Sequence, residues 1–299
     1  YSDAVPELEK AVALEPKNAP LRANLGQAYL NLGKIEEGLE SFVKAVELSP
    51  TPEIWNGIAY QLTRNNVQLD RAKEYAESAV TATTSALSGV SLGSLNTGQL
   101  AHVRSLAVYW DTLGWALFAR GDIPGAEAYV RASWTLDHRG EVGYHLGQIE
   151  EKLGRRGEAI RTYAEAVEAP HPVPESKSHL EDLMGSPEKA QSMLRDSKSR
   201  LTKLRTVELG NLLPETATAD FFVVIGPDGP SARAEGVKFV SGSDKLRPLA
   251  SALQTAIYPQ IFPPGEPAKL IRRGTLSCEA ATGSCAFLLR DADDVQTVE

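Results

Sequence analysis

The sequence predicts a mainly α chain: an α-solenoid of helical-hairpin repeats followed by a small α+β domain of order ββαββ. Three observations predict it. Counted from Gly26, the run Leu25-Gly26, Tyr29, Gly33, Gly38, Phe42, Ala45, Pro50 has offsets of 3, 7, 12, 16, 19 and 24. The spacing returns at Trp110-x-x-Leu113-Gly114, Leu117, Gly121, Ala126, Val130, Ser133. It returns again at Leu146-Gly147, Glu150, Gly154, Ala159, Tyr163, Ala166, so Gly114 to Gly147 is one repeat of 33 residues. Past Leu213-Pro214 the helical period gives way to short β-rich runs.

Each unit reads as two helices joined at a turn. Gly26, Gly114 and Gly147 fall where the helices approach most closely, and Gly33, Gly121 and Gly154 fall where the first helix ends and the backbone needs positive φ. Gly38, Ala126 and Ala159, then Ala45, Ser133 and Ala166, keep one face of the second helix thin enough to pack. A fourth copy, Trp55-x-x-Ile58-Ala59-x-x-Leu62 then Ala72, Ala76 and Ala79, needs one inserted residue after Asn66, where the turn glycine is missing. Ala4, Leu8, Ala11 and Pro16 repeat the offsets of Gly38, Phe42, Ala45 and Pro50, and so form the second helix of an earlier copy. Because a solenoid unit cannot bury its apolar face alone, Tyr1 is expected to lie inside a longer protein, whose targeting signal would stand upstream.

This pattern resembles the tetratricopeptide repeat, whose signature is W-x-x-L-G-x-x-Y followed by A, F or Y, A and P at these offsets. The resemblance implies a right-handed array that binds a protein or peptide partner. The expected division is a partial repeat over 1–18, repeats near 19–52, 52–86, 107–139 and 140–172, a cap over 175–208, and the α+β domain over 209–299.

The remaining elements follow in order. Residues 85–98, rich in Gly, Ser and Asn, interrupt the array as a loop, and Leu100, Val103, Leu106 and Ala107 resume a helical face leading into Trp110. Pro170, Pro172 and Pro174 end the last copy, and a shorter helix spans Ser176 to Met184. Ser186-Pro187-Glu188 is a helix start, and Ala190, Leu194, Ser197, Leu201 and Leu204 continue it as one long amphipathic cap helix. Ala219 to Ile225 and Val237 to Val240 form a hairpin about Pro227-Asp228-Gly229-Pro230. A helix of about three turns carries Leu246, Leu249, Leu253 and Ala256. Strands over Lys269 to Ser277 and Ser284 to Leu289 complete the order, and Asp291 to Glu299 is read as a frayed end.

The C-terminal block is similar in length and order to the small domain ending TonB-type periplasmic proteins, through the Pro-rich segment before Leu270-Ile271-Arg272-Arg273-Gly274. With the repeats, the whole chain looks like the C-terminal portion of secreted bacterial repeat proteins that carry a transglutaminase-like module upstream. Cys278 and Cys285 bracket one turn, where the strands can bring their Cβ atoms within the roughly 4 Å that a disulfide needs. The bridge implies a periplasmic or secreted setting; two reduced thiols would imply the cytoplasm.

Chemistry is sparse. A net charge of -8 argues against a phosphate-binding surface, so nucleic acid is not an expected partner, and Arg155-Arg156 and Arg272-Arg273 read as solvated faces. His102, His138, His145, His171 and His179 are scattered without H-E-x-x-H spacing, so no metal and no cofactor are expected. Glu36-Glu37 and Glu150-Glu151 read as solvated carboxylates, no G-x-S-x-G or phosphate loop occurs, and no active site emerges. No run of about 18 apolar residues occurs, so no direct membrane insertion is expected of this segment.

What remains is a groove. Residues flanking each contact pair turn toward the concave face by helical phase, which names Asn24, Gln27, Asn56, Tyr60, Asp111, Trp115, Tyr144 and Gln148. None is basic, which separates the chain from the carboxylate-gripping, chaperone-binding members of the repeat family. The function expected is a non-enzymatic scaffold that binds a peptide or protein in this groove. The alternatives are an accessory module of a larger enzyme whose catalytic domain lies upstream of Tyr1, or an envelope structural protein.

Overall fold

A computed structural model of the chain describes residues 2–93, 95–229 and 231–291. It divides into two compact units, Tyr1–Thr83 with Thr112–Ala126, and Thr84–Asp111 with Glu127–Glu299. The elements come as helical hairpins and then an antiparallel sheet.

The first unit opens with α1 (Ala4–Leu14), α2 (Ala19–Asn31), α3 (Ile35–Leu48) and α4 (Pro52–Arg64), and takes most of α5 (Leu69–Leu87). Two starts are set by the same local chemistry. Asn18 accepts the Leu21 N–H at 3.1 Å and Thr51 accepts the Ile54 N–H at 3.5 Å, with a proline in the first turn each time. Helices α2 and α3 meet at Gly26, where an added Cβ would come within 2.6 Å of the Phe42 ring. Leu30, Phe42, Ala45, Ile58, Leu62 and Ala72 close the core around that contact. Gly33 turns the hairpin at φ 74°. In the next copy Asn66 takes the missing glycine's place at φ 53°, a conformation asparagine tolerates better than most residues.

The second unit holds parts of α6 (Thr97–Ala119) and α7 (Ile123–Leu136), then α8 (Gly140–Lys152) and α9 (Arg156–Glu168). The contact of the first hairpin recurs here: a Cβ at Gly147 would stand 2.5 Å from the Tyr163 ring. The capping helices are α10 (Pro174–Met184), α11 (Pro187–Leu194) and α12 (Ser197–Leu204). Ser186 caps α11 by accepting the Lys189 N–H at 3.3 Å. The single long cap helix expected from sequence is therefore two, broken at Arg195-Asp196. Arg200 of the second piece donates to the Met193 carbonyl of the first at 3.1 Å, across the bend. The expected loop from residue 85 also begins later, because α5 continues to Leu87, which is fully buried.

The sheet has strand order β1-β6-β5-β2-β3-β4, all antiparallel, with β1 (Thr206–Asn211), β2 (Ala217–Asp228), β3 (Ser231–Gly242), β4 (Ile257–Tyr258), β5 (Leu270–Cys278) and β6 (Ser284–Leu289). The predicted ββαββ order is its centre, and the two edge strands β1 and β4 are additions. β1 carries Gly210 and Asn211 and β4 is two residues long, so neither shows a strand-length alternation in the sequence. The predicted three-turn helix is a 3₁₀ turn over Asp244–Leu249 followed by α13 (Ala250–Thr255), since Pro248 removes a helical donor. Phe221, Val223, Ile225, Leu246, Leu253, Leu276 and Phe287 form the core of this layer. Of the expected turn, Pro230 lies outside the described residues, as do residues 292–299 of the expected frayed end. Asp291 is not frayed: its carboxylate pairs with Arg205.

Within the second unit the sheet is bonded to helices through polar side chains. Glu266, 9% exposed, accepts from Thr84 Oγ1 at 2.8 Å and Trp110 Nε1 at 3.3 Å. Gln260 donates to Thr135 Oγ1 at 3.0 Å, and Arg272 donates to the Leu136 carbonyl at 3.0 Å.

Candidate protein-binding surface

The eight residues named from sequence fall at two positions of the first helix, counted from the small contact residue. One position after it come Gln27, Tyr60, Trp115 and Gln148, and all four are part-exposed. Three positions before it come Asn56, Asp111 and Tyr144; the first two are buried and Tyr144 is half-buried. Asn24 lies only two positions before Gly26, so it is one residue out of register with the others, and it is correspondingly exposed.

The first unit brings Gln27, Asn56, Tyr60 and Trp115 onto α2, α4 and α6. Trp115 stacks on Phe118 one turn on, with ring centres 4.9 Å apart and planes 11° from parallel. Asn56 Oδ1 is buried without a hydrogen-bond partner among the described residues. An unpaired buried acceptor of this kind costs about 1–3 kcal/mol, which a donor brought by a ligand would recover in part.

In the second unit α8 carries Tyr144 and Gln148, bonded to each other with Gln148 Nε2 donating to the Tyr144 hydroxyl at 3.0 Å. Gln148 Oε1 is likewise buried and unpaired among the described residues. Beside them Glu151 accepts from the Tyr163 hydroxyl at 2.6 Å and stands 2.8 Å from His179 Nδ1. Asp111 is engaged by His145, whose Nδ1 lies 2.9 Å from Asp111 Oδ1. Burial alone would drive the His145 proton off, but the charge and hydrogen bond of Asp111 outweigh it and hold its pKa above the ordinary histidine value. Asp111 also lines a recess of about 180 Å³, with Ala107, Ser133, Asp137, Arg139 and Glu141.

Two sequence readings are corrected by burial. Glu150 is not a solvated carboxylate: it is 1% exposed and accepts from Arg131 at 3.0 Å, in a network where Arg131 and Arg155 share Glu127. Burial raises its pKa against the pull of Thr162 and Arg131. Arg272-Arg273 is not a solvated face either. Arg272 is 3% exposed and caps the C-terminal end of α7, while Arg273 pairs with Asp220 at 2.6 Å together with Arg290. Arg155 and Arg156 are exposed. His145 is the site residue that sequence reasoning missed. The signal lay in the period, since Asp111 and His145 sit three and two residues before successive contact glycines, on adjacent copies.

Among the described residues, no group of three or more His, Cys, Asp and Glu side chains is placed to hold a metal ion. No helix of the described residues is long and apolar enough to cross a membrane.

Models of the tetratricopeptide repeat match residues 1–59 and residues 141–170. The chain carries tetratricopeptide repeats. Among solved structures, these repeats are similar to PilF of Pseudomonas aeruginosa, at 16% identity and a TM-score of 0.46, over 66% of this chain and 83% of that one. They are also similar to PilW, described as a type IV pilus biogenesis factor, at 18% identity and a TM-score of 0.47, over 68% and 85%. A third likeness is YrrB, described as a tetratricopeptide protein with an unusual peptide-binding site, at 19% identity and a TM-score of 0.38, over 66% and 92%. No curated protein matches the chain. The repeats mark the chain as a protein-interaction scaffold in general terms.

Proposed function

We propose that the chain binds an extended or helical segment of a partner protein on the first-helix faces of its repeats. The observation that carries this reading is the position following each contact residue, occupied by Gln27, Tyr60, Trp115 and Gln148. All four are polar or aromatic, and none is fully buried. A core position would select aliphatic residues, and a plain solvent position would select charge; amide and aromatic side chains suit adaptable hydrogen bonding with a few anchors. The unpaired acceptors of Asn56 and Gln148 support the same reading, because a peptide backbone supplies N–H donors. We place the boundary between repeats and sheet domain near residue 208. A periplasmic or secreted setting for the protein is supported by the pairing of Cys278 with Cys285.

The test is a peptide selected from a random displayed library on the full chain. Tyr60→Ala with Trp115→Ala, both in the first unit, should weaken binding of the selected peptide about tenfold or more, near 1.4 kcal/mol, with helical circular dichroism unchanged. Ile257→Ala, on the 59% exposed side chain of β4, should leave it unaffected. The reverse pattern would assign binding to the sheet domain and make the repeats a spacer.

A further inference from the structure

Beyond the repeat faces, the second unit contains a recess of about 270 Å³ lined by His138, Glu168, Pro170, Lys198, Leu201, Thr202, Arg205 and Asp291. His138 lies in the turn between α7 and α8, Glu168 ends α9, and Lys198, Leu201 and Thr202 sit on α12. His138 is 4% exposed, and among the described residues neither ring nitrogen has a hydrogen-bond partner. The Trp134 ring packs against it, its plane at 68° with centres 4.9 Å apart. That contact fills space without supplying a polar acceptor.

Two guanidiniums stand close enough to act on this imidazole by charge. Its pKa is pushed down to about 3, by burial first and then by the guanidiniums of Arg205 and Arg272. The ring is therefore neutral at ordinary pH, with one N–H to donate and one lone pair to accept. Nothing in the recess accepts the N–H, and the field of the two guanidiniums favours an acceptor that carries negative charge. The recess already handles such groups at its rim: Asp291 pairs with Arg205, and Glu168 stands 3.4 Å from Lys198. Each cation retains N–H donors beyond the one so engaged, since an ammonium has three and a guanidinium five. The two acidic rim residues disfavour a dianion such as phosphate and leave room for a single negative charge. Leu201 and Pro170 supply an apolar wall.

We infer that this recess is a carboxylate-binding site, in which His138 and Arg205 receive one carboxylate of a small organic acid or of a peptide C-terminus, with Lys198 at the mouth. These groups suit a flat monoanion: a buried neutral donor, a guanidinium fork held by Asp291 and an ammonium whose side chain is 80% exposed. Asp291 then acts as an internal competitor for Arg205.

The full chain, labelled with ¹⁵N-histidine, is titrated with sodium acetate and, separately, with N-acetyl-Ala-Ala as free acid and as C-terminal amide. Sodium chloride at matched ionic strength is the control. The expected result is saturable movement of the His138 ring signals with the acids and none with the amide or chloride. Movement with acetate and the peptide acid shows a site open to either source. Movement with the peptide acid alone assigns it to a chain terminus, and movement with acetate alone to a small acid. Arg205→Gln should weaken binding about tenfold, and Asp291→Asn should tighten it severalfold by freeing the guanidinium. Equal movement with chloride, no movement with any acid, or an Asp291→Asn variant that binds like the parent would overturn the inference and leave His138 a packing partner of Trp134. The Asp291 variant keeps the test decisive should Arg205→Gln unfold the chain.

Discussion

Gly147 and Gly154 are seven residues apart on one hairpin and are glycine for opposite reasons. At Gly147 the backbone is helical and the constraint is space, since a Cβ would meet the buried Tyr163 ring at 2.5 Å. At Gly154 nothing lies within 4 Å of a Cβ, and the constraint is φ at 73°. Alanine at either position should therefore lower stability by about 1 kcal/mol or more, through overpacking in one case and left-handed backbone in the other. The two are separable by a second change. Tyr163→Leu should relieve Gly147→Ala and leave the cost of Gly154→Ala untouched, as measured by urea denaturation of the three single and two double variants. Equal coupling at both positions would mean that the ring does not set the helix contact. Both roles were legible in the sequence because the period placed each glycine against its counterparts in other copies. Asn66 was legible only as a missing glycine, because its turn is set by the same backbone demand met with a different side chain.

Between elements, two histidines oppose each other in their response to pH. His145 bonds Asp111 from α8 to α6, and its folded pKa is raised, so its contribution is full below the unfolded value near about 6.5 and is lost as pH rises through the folded value. His138 has a folded pKa depressed to about 3. Its contribution is full above the unfolded value and is lost as pH falls toward the folded one. Asp111→Asn should therefore cost more stability at about pH 5.5 than at about pH 9, in paired denaturation curves. A cost independent of pH would show that the His145 link holds the helices by shape alone. The pair was hidden from sequence reasoning because its members belong to different copies. The break between α11 and α12 was hidden because the apolar spacing of residues 190–204 is continuous, and the bond from Arg200 to the Met193 carbonyl across the bend carries no periodic signal.

Over the whole chain, the sheet and the helices from Glu127 onward form one compact unit. Thr84, Trp110, Thr135 and Leu136 are each hydrogen-bonded to residues of the sheet domain. The Cys278–Cys285 disulfide, with Cα atoms 4.1 Å apart, staples β5 to β6 inside that unit. Closing so short a loop contributes about 2.5 kcal/mol in the chain-entropy account. Reduction should accordingly quicken amide exchange in β5, β6 and also α8 and α9, while α2 and α3 in the other unit keep their protection. Acceleration confined to the sheet would mean that its polar bonds to the helices carry little coupling. The helical class and the ββαββ centre could be read from periodicity and turn residues. This coupling could not, since Gln260, Glu266 and Arg272 carry no periodic signal and look like ordinary surface residues until their partners are in place.

The Arg272 guanidinium at the Leu136 carbonyl has a consequence for how such an array can change over generations. Solenoids commonly grow and shrink by duplicating or deleting whole units, because each unit touches only its neighbours. Here the sheet domain grips the chain at Thr84, Trp110 and Leu136 and again at Arg205, through Asp291. A unit gained or lost between those anchors would move one anchor by a full repeat and strand a buried carboxylate or guanidinium. Copy number within that span is therefore frozen, and lineages that vary it should also have lost Glu266 and Arg272.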